Sequence, residues 1–165
     1  KDCRMKAIWE NIFKKGPVND PILHAIHQVP IFKHLNGKEL NEISRLTHER
    51  DYRLGESIFK KMAPGEGMYV IIQGNVTIKD PDTGMVFAQL CSGDFFGELA
   101  LLDEEPRSAM AEAQEPSKLI GFFRTDLLTL MHRSPELGNK ILINLSRVLG
   151  ERLRQTNIAL AKKSS

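Results

Sequence analysis

The sequence predicts an α+β fold: a jelly-roll-like β-barrel flanked by N-terminal helices and a long C-terminal helix. Three observations predict it. Apolar residues recur at helical spacing through the first third of the chain. Residues 51–123 then break into short runs separated by turn clusters, among them Ala63-Pro64-Gly65-Glu66-Gly67, Gly74-Asn75 and Asp80-Pro81-Asp82-Thr83-Gly84. From Thr125 the helical period returns and holds to the end. At 165 residues the chain has material for one well-filled core. Residues 1–27 are therefore expected as a helical extension and residues 28–165 as a single domain that includes the last helix.

Each element has its own local signal. Met5, Ile8, Trp9, Ile12 and Phe13 mark an amphipathic helix over residues 2–15 that ends in Lys-Lys-Gly-Pro. Asn19-Asp20-Pro21 is a cap followed by a first-turn proline, opening a helix that carries Ile22 and Ile26. Leu40, Ile43 and Leu46 place a third helix from Gly37 or Lys38 to about His48. The clearest strands are 68–73, 76–79, 85–91, 110–113 and 118–123. Leu127, Leu128, Leu130 and Met131 fill a short helix, and Pro135 opens one that runs beyond Leu153. In that helix Leu142, Leu149, Leu153 and Leu160, with Ser146 and Thr156, follow a seven-residue pattern. It suits a homodimer seam, and equally an amphipathic helix packed on its own barrel.

Composition removes several function classes. A hydrophobic share of 41% and a charged share of 27% fit a globular protein and exclude a disordered one. The net charge of +2 is too weak a basic field to imply nucleic-acid binding by this chain. Cys3 and Cys91 supply neither a disulfide framework nor a thiolate metal site. The histidines, His24, His27, His34, His48 and His132, fall in or beside helices, and none forms the H-x-H pair a barrel metal site would use, so no metal is expected. A nucleophile with a base at suitable spacing is also lacking, so no catalysis is expected. No apolar run reaches the length needed to span a bilayer, and the first residues have no signal-peptide core, so the chain reads as cytoplasmic. It also lacks an initiator Met and reads as part of something larger.

Chemistry concentrates in residues 97–108. Gly97 permits a tight turn and a close approach of backbone to a ligand. The Glu98-Leu99-Ala100-Leu101-Leu102 stretch that follows is long enough for one helical turn, whose first amides have no internal partner and attract an anion. Arg107 presents a planar fork matched to two phosphate oxygens, and Ser108 beside it adds a hydroxyl. A carboxylate next to a phosphate would repel it, so Glu98 is expected to face a sugar hydroxyl instead. Taken singly, each of these residues has an ordinary structural explanation; the combination points to a sugar phosphate.

Phe96-Gly97-Glu98-Leu99-Ala100-Leu101 followed by Arg107-Ser108-Ala109 closely resembles the phosphate-binding cassette of the cyclic nucleotide-binding domain family, of the catabolite activator and protein kinase A regulatory-subunit type. The resemblance extends over about residues 28–157 and every cassette position matches. It implies that Glu98 takes the ribose 2′-hydroxyl, that Arg107 and Ser108 take the cyclic phosphate, and that the amides of Leu99 and Ala100 complete the cradle. It further implies a base wall at Ile78, Phe87 and Phe96, residues that simple core packing would also explain. Thr156 and Asn157 stand where the family's long helix meets the adenine amino group, which favours cyclic AMP. Ser108 keeps cyclic GMP as the alternative. The implied function is a non-catalytic sensor that rearranges its helices on ligand binding. A ligand-free docking module and the sensory part of a longer transcription factor are the competing readings; the resemblance is expected to come without a helix-turn-helix domain in this chain.

Overall fold

The computed structural model describes residues 20–163. The helix expected over residues 2–15 and Cys3 lie outside them. Helix α1, Pro21–Gln28, begins where the Asp20 carboxylate accepts from the Ile22 amide at 2.9 Å. It ends at Gln28 because Val29, held extended before Pro30, cannot continue it. One 3-10 turn, Pro30–Phe32, then buries Ile31 and Phe32. Helix α2, Gly37–Ser44, opens on a capping box between Asn36 and Glu39. It stops short of His48, where the sequence reading ended it, and a strand begins there instead.

Eight strands follow: β1 His48–Tyr52, β2 Ser57–Phe59, β3 Gly67–Gln73, β4 Asn75–Lys79, β5 Val86–Cys91, β6 Phe95–Phe96, β7 Met110–Ala113 and β8 Ser117–Phe123. They form two antiparallel four-stranded sheets, ordered β1-β8-β3-β6 and β2-β7-β4-β5. The architecture is jelly-roll-like, with two facing sheets that do not close into a barrel. The five strands read from sequence appear with ends shifted by at most one residue. β1 escaped notice because its sequence, His-Glu-Arg-Asp-Tyr, has no apolar alternation; it is an edge strand, and charge on such an edge discourages pairing with other chains.

Two apolar clusters hold the fold. Ile71, Val76, Ala111, Ala113 and Leu119 fill the space between the sheets with Ile58, Tyr69 and Phe96. The other joins the helices to the outer side of the β3–β8 sheet, through Ala25, Ile26, Phe32, Ile43, Met68, Val70, Ile120, Phe122, Leu127, Leu130, Ile141 and Leu145. Phe122, 1% exposed and in edge contact with Phe32, is central to it; truncation to Ala would cost about 3–5 kcal/mol. Ala25 and Ile26 belong to this same core, so the boundary expected after residue 27 falls inside α1.

Helix α3, Arg124–Arg133, and helix α4, Pro135–Lys163, close the chain. Asn144 pins α4 from a buried position, its side-chain amide donating to the carbonyls of Ile31 (3.2 Å) and Lys33 (2.8 Å). Leu142 and Leu149 pack partly buried against the helical core, whereas Leu153 is 62% and Ile158 57% exposed. The seven-residue pattern is thus divided: its first half packs on its own domain and every residue from Glu151 to Lys162 is exposed. Among the described residues no helix is long and apolar enough to cross a membrane.

Candidate functional site

Residues 97–109 are the crossover between the two sheets. β6 delivers the chain to Gly97, its Phe96 paired with Tyr69 of β3; β7 takes it up at Met110, where it pairs with both β2 and β4. Between these fixed ends lies a 3-10 turn, Glu98–Leu101. Leu101 is 3% exposed and anchors the turn in the helical core, while Ala100 packs beneath the preceding loop at Gly65.

Gly97 has a left-handed backbone, φ 77°, and a β-carbon on it would stand 2.7 Å from Nη1 of Arg107. Both conformation and space therefore demand glycine. Its carbonyl accepts from that Nη1 at 3.2 Å, and the Gly67 carbonyl accepts from Arg107 Nη2 at 2.5 Å. The guanidinium carbon lies 4.2 Å from the centroid of the Phe59 ring. The Arg107 backbone is held too, donating to Ala63 and accepting from Met62, each at 2.8 Å. Arg107 is 7% exposed; burial lowers its pKa, opposed by Tyr69, Glu66 and Glu98. An arginine still carries its charge at neutral pH after such a shift.

Glu98 is 3% exposed. Its Oε1 accepts from Nη1 of Arg152 at 2.5 Å, a contact from α4 that the sequence reading missed. Arg152 also donates to the Phe95 carbonyl at 3.3 Å and lies over the Phe95 ring, 4.9 Å from its centroid. A signal was present: Arg152 stands one helical turn before Thr156, on the helix face already assigned to the ligand.

Two buried side-chain atoms among the described residues have no hydrogen-bond partner, and both belong to this site: Glu98 Oε2 and Arg107 Nε. Leaving such groups unmade costs about 1–3 kcal/mol each, more for charged groups, so a protein seldom keeps them without use. One is an acceptor suited to a hydroxyl and the other a cationic donor suited to an anion, the two demands of a sugar phosphate.

The other expected contacts are gathered less closely. The Ala100 amide donates to the Gly97 carbonyl at 3.2 Å, and Ser108 is exposed beside Arg107. Phe96 is 4% exposed, stacked on Tyr69 with 5.7 Å between centroids, and so lies within the inter-sheet core. Ile78 is half-buried against that core, whereas Phe87 is 55% exposed on edge strand β5. Thr156 and Asn157 are exposed on α4, and the Thr156 hydroxyl donates to the Arg152 carbonyl at 2.9 Å. Among the described residues no cluster of three or more His, Cys, Asp or Glu could hold a metal ion.

Comparison with known proteins gives this arrangement its context. The model of the cyclic nucleotide-binding domain matches residues 49–134, more than half of the chain. The chain is 34% identical over 134 residues to the cyclic AMP receptor protein of Thermus thermophilus, covering 79% of this chain and 60% of that one. It is 35% identical over 113 residues to a cyclic nucleotide-gated potassium channel of Rhizobium etli, covering 68% of this chain and 31% of the channel. The chain thus spans less than two thirds of the first relative and less than one third of the second. The crystal structure of the Thermus thermophilus catabolite activator protein superposes with a TM-score of 0.72 at 33% identity, covering 82% of this chain and 63% of that one. A left-handed glycine, a buried glutamate and a buried arginine at the crossover of two jelly-roll sheets, together with these matches, show that the chain belongs to the cyclic nucleotide-binding domain family.

Proposed function

We propose that this chain is a non-catalytic sensor of a cyclic purine nucleotide, with cyclic AMP as the preferred ligand and cyclic GMP as the alternative. The unpartnered pair, Glu98 Oε2 and Arg107 Nε, carries the proposal. In this reading the ribose 2′-hydroxyl donates to Glu98. The cyclic phosphate accepts from Arg107, with Ser108 and the amides of Leu99 and Ala100 at its margin. The base leaves the cassette toward Ile78, Phe87 and Phe96 and meets Thr156 and Asn157 on α4. The intact Glu98 and Arg107 favour ligand binding over a docking module that has lost its ligand.

The response would run through Arg152. A ribose hydroxyl arriving at Glu98 changes the partners of the carboxylate that holds α4, and only such differential contact can shift a conformational equilibrium. Leu153, exposed together with Thr156 on the distal half of α4, supports pairing of that helix with a second copy. Thermal melting with cyclic AMP, cyclic GMP and 5′-AMP at matched concentrations tests the reading. A rise with the cyclic nucleotides is expected, largest with cyclic AMP, because a ligand bound only by the folded state raises its melting temperature. No rise with any of them overturns it.

A further inference from the structure

Phe59 is 48 residues from Arg107 in sequence and lies in strand β2, outside the crossover, yet its ring is the surface on which the buried guanidinium rests. β2 pairs with β7, the strand entered just after Arg107, with Phe59 opposite Ala111. The ring is itself held, tilted against Tyr69 at 6.1 Å and Phe96 at 5.8 Å between centroids. The Gly67 and Gly97 carbonyls each take a hydrogen from one terminal nitrogen and fix the guanidinium within its plane. They do little to stop that plane from tilting. A flat π face pressed against it does, and the negative charge density of the ring face adds attraction that an aliphatic side chain cannot supply. With two nitrogens bonded to carbonyls and one face covered, Nε is left unpartnered.

We infer that Phe59 is a positioning residue for phosphate recognition: its ring sets the tilt of the Arg107 guanidinium so that the Nε edge is presented to the incoming anion. This rests on the reading of the site as a cyclic-nucleotide site. Phe59 need not touch the ligand; it acts through Arg107. The requirement is for an aromatic ring, beyond the apolar volume that core packing alone would ask for.

The test compares wild type with Phe59→Leu, Phe59→Met and Phe59→Tyr, measuring cyclic AMP and cyclic GMP affinity by titration calorimetry and the melting temperature of each ligand-free protein. Leu and Met keep apolar bulk without a π face and are expected to weaken binding about tenfold, while Tyr stays within about twofold of wild type. A purely structural role predicts instead that affinity follows melting temperature across the series, with no selective rescue by Tyr; that result overturns the inference, as does unchanged affinity in the Leu or Met variant. In the ligand-free wild type, a nuclear Overhauser effect between the Phe59 ring protons and the Arg107 side chain is expected, and its absence overturns the inference even where neither Leu nor Met variant folds. Wild type that binds neither cyclic nucleotide overturns the reading of the site, and this role with it; wild type that binds, with the Leu variant equal to it, overturns this role alone.

Discussion

The crossover at residues 97–109 and the distal half of α4 are joined by the Arg152–Glu98 pair, and they could hardly differ more. In the crossover, Glu98 and Arg107 are nearly inaccessible, a glycine is obligatory at Gly97, and neighbouring backbone groups hold Arg107 on three sides. From Glu151 to Lys162 the helix is exposed, and Arg152 links it to the site. The half proposed to read sugar and phosphate is built in advance. The half proposed to read the base is shaped but not yet enclosed. Such a division suits a switch, since preorganised groups supply affinity while the unenclosed helix retains freedom to respond.

The sharpest way to break this contrast is Arg107→Ala. In the proposed reading it removes the charge-assisted hydrogen bonds to the phosphate, and cyclic-nucleotide affinity is expected to fall a hundredfold or more, about 2.7 kcal/mol, by titration calorimetry. Unchanged affinity would remove the crossover from binding altogether. Glu98→Gln should act on the ribose alone: about a tenfold loss for cyclic AMP, with little change for its 2′-deoxy analogue. Equal losses for both ligands would show that the glutamate acts through the fold and not through the hydroxyl.

Arg152→Gln probes the joint between the two regions. It leaves Glu98 buried without its cation, which is destabilising, but Arg152 is 46% exposed and solvent screens the pair. A loss of about 1 kcal/mol is expected, seen as a melting temperature lower by about 2–4 °C. Amide exchange should quicken from residue 151 onward with little change before Asn144; uniform change along α4 would contradict a division between its two halves. The smallest effect belongs to Thr156→Val, expected to cut the preference for cyclic AMP over cyclic GMP about threefold. An unaltered ratio would take α4 out of base recognition.

What could be read from the sequence follows how near its parts lie along the chain. The cassette is contiguous, so Gly97, Glu98 and Arg107 announce themselves together, and strands such as β3, with a buried run from Met68 to Ile71, stand out from their turns. Contacts across long separations do not announce themselves. Arg152 and Glu98 lie 54 positions apart, Arg107 and the Gly67 carbonyl 40. A helical arginine among other charged residues reads as solvated until the fold shows where it points. β1 was hidden for another reason, because an edge strand with charged faces erases the alternation by which strands are recognised. Even the seven-residue pattern of α4 was ambiguous in a way only burial could divide, with Leu142 and Leu149 turned to the core and Leu153 to solvent.

The Arg152–Glu98 contact ties the crossover to α4. In the proposed reading, a partner that grips the distal half of α4 and alters how readily Arg152 stays with Glu98 would alter nucleotide affinity by some factor. Thermodynamic linkage requires nucleotide to change that partner's affinity by the same factor. On that reading, ligand affinity measured without the partner would be a baseline, and the working value would depend on how much of the partner is present.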